Sequence, residues 1–116
     1  DDMGMFKFHT VAAHCVQLSD EDIDILAERG VYAATNPISN AKLGNGFARI
    51  PDMLDKGVKL CIGTDSAGSN NTLNMFSDMN FICLAHKGNC RSATAVSARQ
   101  ALKMATETGA KALGLP

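Results

Sequence analysis

This sequence lacks an excess of charge of either sign, an apolar run long enough to span a bilayer, and any Cys-x-x-Cys pair. Eleven basic residues stand against twelve acidic ones, a net charge of −1. That balance removes the electrostatic case for nucleic acid or an anionic membrane as partner. No stretch approaches the ~20 consecutive apolar residues of a membrane-spanning helix. The opening Asp1-Asp2-Met3-Gly4-Met5 carries neither the basic nor the apolar region of a secretory signal. The four cysteines, Cys15, Cys61, Cys83 and Cys90, do not pair at zinc-knuckle spacing. Cys15 and Cys61 fall in or beside apolar strands, where a thiol behaves as a small buried hydrophobe. A reduced, cytoplasmic chain is the expectation. The glycines of Gly63-x-x-x-x-Gly68 are followed by Ser-Asn rather than Lys-Ser/Thr, so no phosphate-binding P-loop is present.

What is there is the material of one domain. The chain has 116 residues, 46% of them apolar, enough to build a core. Thr10 to Val16 is a run of β-branched and small residues that predicts a buried strand. Ser19 is a helix N-cap, followed by Asp20, Glu21 and Asp22 in the first turn. Ile23, Leu26 and Ala27 then form one apolar stripe, and Arg29-Gly30 closes the helix. A second strand is predicted over 31–35. Asn36-Pro37 breaks it and opens a polar loop to about Ile50. A short helix over 52–56 starts behind Pro51 and leads into a third strand over 58–62. Two further helices are predicted, over 72–87 and 95–106. The first carries Phe76, Met79 and Cys83 on one face and ends at Gly88-Asn89. The second carries Ala98, Ala101, Leu102 and Ala105, and a last helical turn covers 108–113.

Short strands alternating with helices indicate an α/β protein with a parallel sheet. Three such strands leave two open edges, which invite pairing with another chain. A place in a larger α/β architecture is expected, and self-association, as a homo-oligomer, if the piece stands alone.

The most informative tract runs from Lys59 to Asn71. An apolar strand ends there, and Asp65 follows in a loop of small residues. Ligands and metals collect at the carboxyl ends of strands in α/β proteins. A carboxylate is costly to bury there unless it is paired or metal-bound. An N-cap or loop-closing role is the structural alternative for Asp65. His14 ends the first strand, where a core histidine satisfied by one backbone bond is the alternative reading. Asn36, Ser39 and Asn40 follow the second strand, either as substrate-binding residues or as Asx-type turn formers. Ser69 or Asn71 is expected to cap the next helix. His9 and His86 read as solvated, and Met75 and Met79 as core.

Three motifs stand in a fixed order: Ala13-His14-Cys15-Val16, Asn36-Pro37-Ile38-Ser39-Asn40-Ala41-Lys42-Leu43-Gly44-Asn45-Gly46, and Gly63-Thr64-Asp65-Ser66-Ala67-Gly68-Ser69-Asn70-Asn71. Together they resemble the amidohydrolase superfamily, on the branch of 5′-methylthioadenosine/S-adenosylhomocysteine deaminases and triazine hydrolases. The resemblance implies a partial (β/α)8 TIM barrel, its sixth to eighth strands with their helices. Residues 1–116 would then be a C-terminal fragment of a metal-dependent barrel, a fold that takes about 250 residues. It implies zinc or iron as cofactor, with Asp65 as metal ligand and proton acceptor and His14 as a catalytic residue facing the attacking water. The implied reaction is hydrolytic release of ammonia from an adenine-type ring in a small nucleoside. Triazine chlorohydrolysis and guanine deamination are the alternatives, along with a non-catalytic, self-associating fragment. Relatives often carry histidine where Thr35 stands, glycine where Ser66 stands and alanine where Gly68 stands. The family's His-x-His motif is absent from these residues, so the chain by itself is expected to be inactive.

Overall fold

A computed structural model describes residues 1–116. Three strands, β1 (Val11–Ala13), β2 (Tyr32–Thr35) and β3 (Lys59–Ile62), form one sheet in the order β1-β2-β3. Both pairings are parallel, with Val11 opposite Tyr32 and Tyr32 opposite Lys59. All three strands therefore deliver their carboxyl ends to one side. Two further bonds extend the ladder there: His14 N–H donates to the Ala34 carbonyl and Gly63 N–H to that of Thr35.

Helix α1 (Asp20–Glu28) joins β1 to β2 and begins in a capping box between Ser19 and Asp22. Ile23 and Leu26 bury its apolar stripe. Helices α2 (Pro37–Lys42) and α3 (Ile50–Asp55) lie between β2 and β3. Beyond β3 come α4 (Ala67–Asn70), α5 (Met75–Cys90), α6 (Ala98–Ala105) and α7 (Glu107–Ala112). The core gathers Ile23, Val31, Ile50, Met53, Leu60, Ile82, Val96 and Met104 among others.

Several expectations are corrected. β1 spans only 11–13, and Val11 is exposed on it. His14 and Cys15 turn out of the strand at φ 67° and 51°. The expected loop after Pro37 is helical, because Pro37 sits at the first helical position, where its fixed φ and missing N–H cost nothing. Ser66 caps α4 and Asn74 caps α5, in place of Ser69 or Asn71. α5 runs through Gly88-Asn89 and stops where Arg91 takes a left-handed conformation. Its buried face is Asp78, Ile82, Cys83 and His86, while Phe76 is 78% exposed. On α6 the buried residues are Ala101 and Met104, and Leu102 faces outward. His86 is not solvated. It is 4% exposed, its ring lies 6.1 Å from that of Phe47, and burial pushes its pKa down. His9 is exposed as expected, although its Nε2 bonds the Ala112 carbonyl. All four cysteines are free thiols, and burial raises the pKa of Cys15, Cys61 and Cys83. No helix is long and apolar enough to cross a membrane.

Candidate active site

The carboxyl ends of the strands bring together the residues singled out by sequence. His14 follows β1 directly, Asn36 follows β2, and Asp65 lies three residues beyond the end of β3. His14 and Asp65 both adopt positive φ, Asp65 at 62°. This conformation is uncommon outside glycine, although His and Asp tolerate it better than most. Such outliers persist where the surroundings hold them, often at functional sites.

The Asp65 carboxylate is fixed from two sides. Its Oδ2 accepts the Ser39 hydroxyl at 2.6 Å, and its Oδ1 accepts the Ser66 amide at 2.8 Å. The Ser39 hydroxyl, then the Ser66 amide, then the Ser69 hydroxyl hold its pKa below the ordinary carboxylate value. Each carboxylate oxygen retains a free lone pair.

His14 is oriented by α2. Its Nδ1 lies 2.8 Å from Asn40 Oδ1. The carbonyl oxygen accepts, so Nδ1 carries the proton and Nε2 presents a lone pair. Nε2 faces Asp65 Oδ2 at 4.0 Å. A lone pair and an anionic oxygen facing across that gap attract each other only through something between them that carries protons or positive charge. The imidazole and the carboxylate remain partly open to solvent, whereas Ser39 and Asn40 are 0% and 1% exposed.

Asn36 is also buried, and its Oδ1 finds no partner; the same holds for Asn40 Nδ2. Two orphaned polar atoms beside one site are unusual, because buried polar groups are nearly always bonded. A side chain at Gly63 would meet the Asn36 amide, since a Cβ there would lie 2.8 Å from Asn36 Nδ2.

Three residues that sequence reasoning passed over hold this arrangement. Lys42 Nζ clasps the end of α2 to the loop after Asp65, donating to the Gly68 carbonyl at 2.7 Å and to Asn71 Oδ1 at 2.5 Å. Asn70 Nδ2 donates to the Thr64 carbonyl at 2.8 Å and to Asp78 Oδ2 at 2.9 Å. Asp78 is 0% exposed, and its Oδ1 accepts the Ile38 amide at 3.3 Å. Burial raises the Asp78 pKa against the opposing pull of those two donors. The available signal was an acid at i, i+4, i+8 spacing with Ile82 and His86 on one helix face.

The donor set suits part of a divalent-metal site. Asp65 offers an ionised carboxylate with open lone pairs, and His14 offers an imidazole lone pair. No group of three or more His, Cys, Asp or Glu side chains is placed to hold a metal ion. A depression of about 320 Å3 lies at the opposite, amino ends of the strands against Tyr32, Lys59 and Met104, away from these residues.

The whole chain, residues 1–116, matches the profile of the Amidohydrolase family. It belongs to that family. The chain is similar to 5-methylthioadenosine/S-adenosylhomocysteine deaminase of Acetivibrio thermocellus, 51% identical over 96% of this chain and 26% of that protein. It is also similar to 5′-deoxyadenosine deaminase of Methanosarcina mazei, 51% identical over 98% of this chain and 26% of that protein. In three dimensions this amidohydrolase segment superposes on the crystal structure of a zinc-bound adenosine deaminase from Xanthomonas campestris. The TM-score is 0.86 at 41% identity, over 90% of this chain and 24% of the other. An atrazine chlorohydrolase from Arthrobacter aurescens complexed with zinc gives a TM-score of 0.86 at 33% identity, over 91% and 24%. The segment thus spans about a quarter of the length of the proteins it matches.

Proposed function

We propose that this chain supplies the sixth to eighth strands of a (β/α)8 barrel whose intact form is a metal-dependent aminohydrolase acting on an adenine-type nucleoside. The observation that carries the reading is the pairing of Asp65 and His14 across 4.0 Å at the carboxyl ends of parallel strands, each oriented by a buried side chain of α2. The names of the curated relatives and the zinc in two solved neighbours support the substrate class and the metal.

Asp65 would hold the metal, with the remaining ligands coming from outside these residues, since a catalytic zinc usually takes three protein ligands. Bound there, the metal would make water nucleophilic near neutral pH. The chemistry adds water at the amine-bearing ring carbon and breaks its C–N bond, and one water proton leaves on the nitrogen as ammonia. Asp65 accepts a proton at a carboxylate oxygen and returns it to the departing amine. Its lowered pKa keeps it ionised, the form that would hold a metal. His14 offers Nε2 as a hydrogen-bond acceptor that orients the attacking water, because Asn40 holds the proton on Nδ1. Ser39 and Asn40 orient these two groups rather than touch the ring. Asn36 is the least buried of this trio, and the one that would meet substrate.

A second reading follows from the atrazine chlorohydrolase neighbour: the same strand-end pair could serve displacement of chloride from a triazine. The deciding experiment assays the intact protein with 5′-methylthioadenosine, S-adenosylhomocysteine, 5′-deoxyadenosine, guanine and a chlorotriazine. Ammonia from the adenine nucleosides supports the proposal. Chloride from the triazine alone supports the second reading. Failure with all five removes both. The 116-residue chain by itself is expected to show no turnover.

A further inference from the structure

The catalytic carboxylate sits at the meeting point of a closed circuit of bonds that runs through the interior. From Asp65 Oδ2 it passes to the Ser39 hydroxyl on α2. One residue earlier, the Ile38 amide donates to Asp78 Oδ1 on α5. Asp78 Oδ2 accepts from Asn70 Nδ2, which also donates to the Thr64 carbonyl, and Thr64 precedes Asp65. Three segments are thereby fixed to one another: α2, the stretch from Thr64 through α4, and α5, with α2 some distance away in sequence from the other two. The Asn36 side chain gives α2 no cap bond, so the Asp78 carboxylate takes that place from another helix.

We infer that Asp78 is a positioning residue for the reaction, holding the Ser39 hydroxyl and the Asp65 backbone at the separation that lets Asp65 work. The proposal rests on the aminohydrolase reading for its activity readout. Two observations favour positioning over plain stabilisation. An apolar side chain would fill the same fully buried place without the burial cost of a carboxyl group. Moreover, both acceptor oxygens are spent on the two segments that carry Ser39 and Asp65, and neither on α5 itself.

The test is a double-mutant cycle in the intact, metal-loaded protein with Asp78→Asn, Ser39→Ala and the double variant. Asparagine keeps the shape and removes one acceptor, so its amide nitrogen confronts a donor. The expected result for Asp78→Asn is a kcat about tenfold lower or more with KM changed less than about threefold, the pattern of a lost transition-state interaction. Ser39→Ala gives a similar loss, and the double variant is little worse than either single one. A crystal structure of Asp78→Asn should show the Ser39–Asp65 bond lengthened or broken. Additive losses in the cycle, or an intact Ser39–Asp65 bond, would overturn the inference. So would a variant that lowers only Tm. Should the unaltered protein deaminate nothing, the aminohydrolase reading fails while the crystal structure still decides whether Asp78 positions Asp65.

Discussion

At the scale of single residues, the candidate site is held by side chains that are themselves buried. Ser39 is fully buried and reaches Asp65 through one hydrogen bond. Ser39→Ala in the intact protein is expected to lower kcat/KM about tenfold, since a bond to a charged acceptor is among the stronger ones. Steady-state kinetics checks this, and an unchanged value would remove Ser39 from the mechanism. Gly63→Ala drives a Cβ against the Asn36 amide. A cost of about 1–3 kcal/mol, typical of overpacking, is expected in urea unfolding, together with a raised KM if Asn36 meets the ring. His14 and Asp65 were singled out in sequence by their places after strands and by the order of the three motifs, and the structure sets them 4.0 Å apart. Asn40 was legible as a candidate but not in its role, because a 26-residue separation hides a side-chain bond to His14. Asp78 was legible only as a spacing with Ile82 and His86: an acid in the first turn of a helix is usually solvated and suits the dipole, and the packing of α5 on α2 shows this one to be interior.

At the scale of elements, the largest departure concerns α5. Hydropathy placed Phe76, Met79 and Cys83 on its inner face; Cys83 is buried and Met79 packs on the core, but Phe76 is exposed and Asp78, Ile82 and His86 turn inward. A polarity pattern cannot find a face that carries an acid and a histidine, because the bonds that satisfy the acid come from other elements. Ile82→Ala is therefore expected to cost about 2–5 kcal/mol and Phe76→Ala less than about 0.5 kcal/mol in urea unfolding. The reverse order would restore the face inferred from hydropathy. His86 adds a pH dependence. Burial lowers its folded-state pKa, so the unfolded chain binds a proton more readily. Its contribution is present above the unfolded value of about 6.5 and is lost as pH falls through that value toward the folded one. His86→Leu is expected to narrow the difference in unfolding free energy between about pH 7.5 and about pH 5. An unchanged difference would show that other groups carry it. The helix α2 was missed for a simpler reason: Asn-Pro reads as a break, and here the proline starts a helix.

At the scale of the whole molecule, the parallel direction of the strands followed from the alternation of strands and helices, and the β1-β2-β3 sheet is parallel throughout. The sheet leaves one edge of β1 and one of β3 without a partner. Thr10 and His14 bond toward β2, so the amides of Val11 and Ala13 point away from it. In a closed barrel those two amides pair with a neighbouring strand. Hydrogen exchange on the intact protein is expected to find Val11 and Ala13 protected like the core, and rapid exchange there would contradict closure. The same incompleteness bears on the proposed chemistry, because Asp65 would hold a metal only with ligands from outside these residues. The measurement that bears most directly on the central claim is the zinc content and kcat of the intact protein with Asp65→Asn, beside the unaltered protein, on 5′-methylthioadenosine. Loss of activity by about a thousandfold or more, with zinc reduced, is the expected outcome for a residue that both holds the metal and moves the proton. Near-normal zinc and near-normal ammonia release in Asp65→Asn would contradict it.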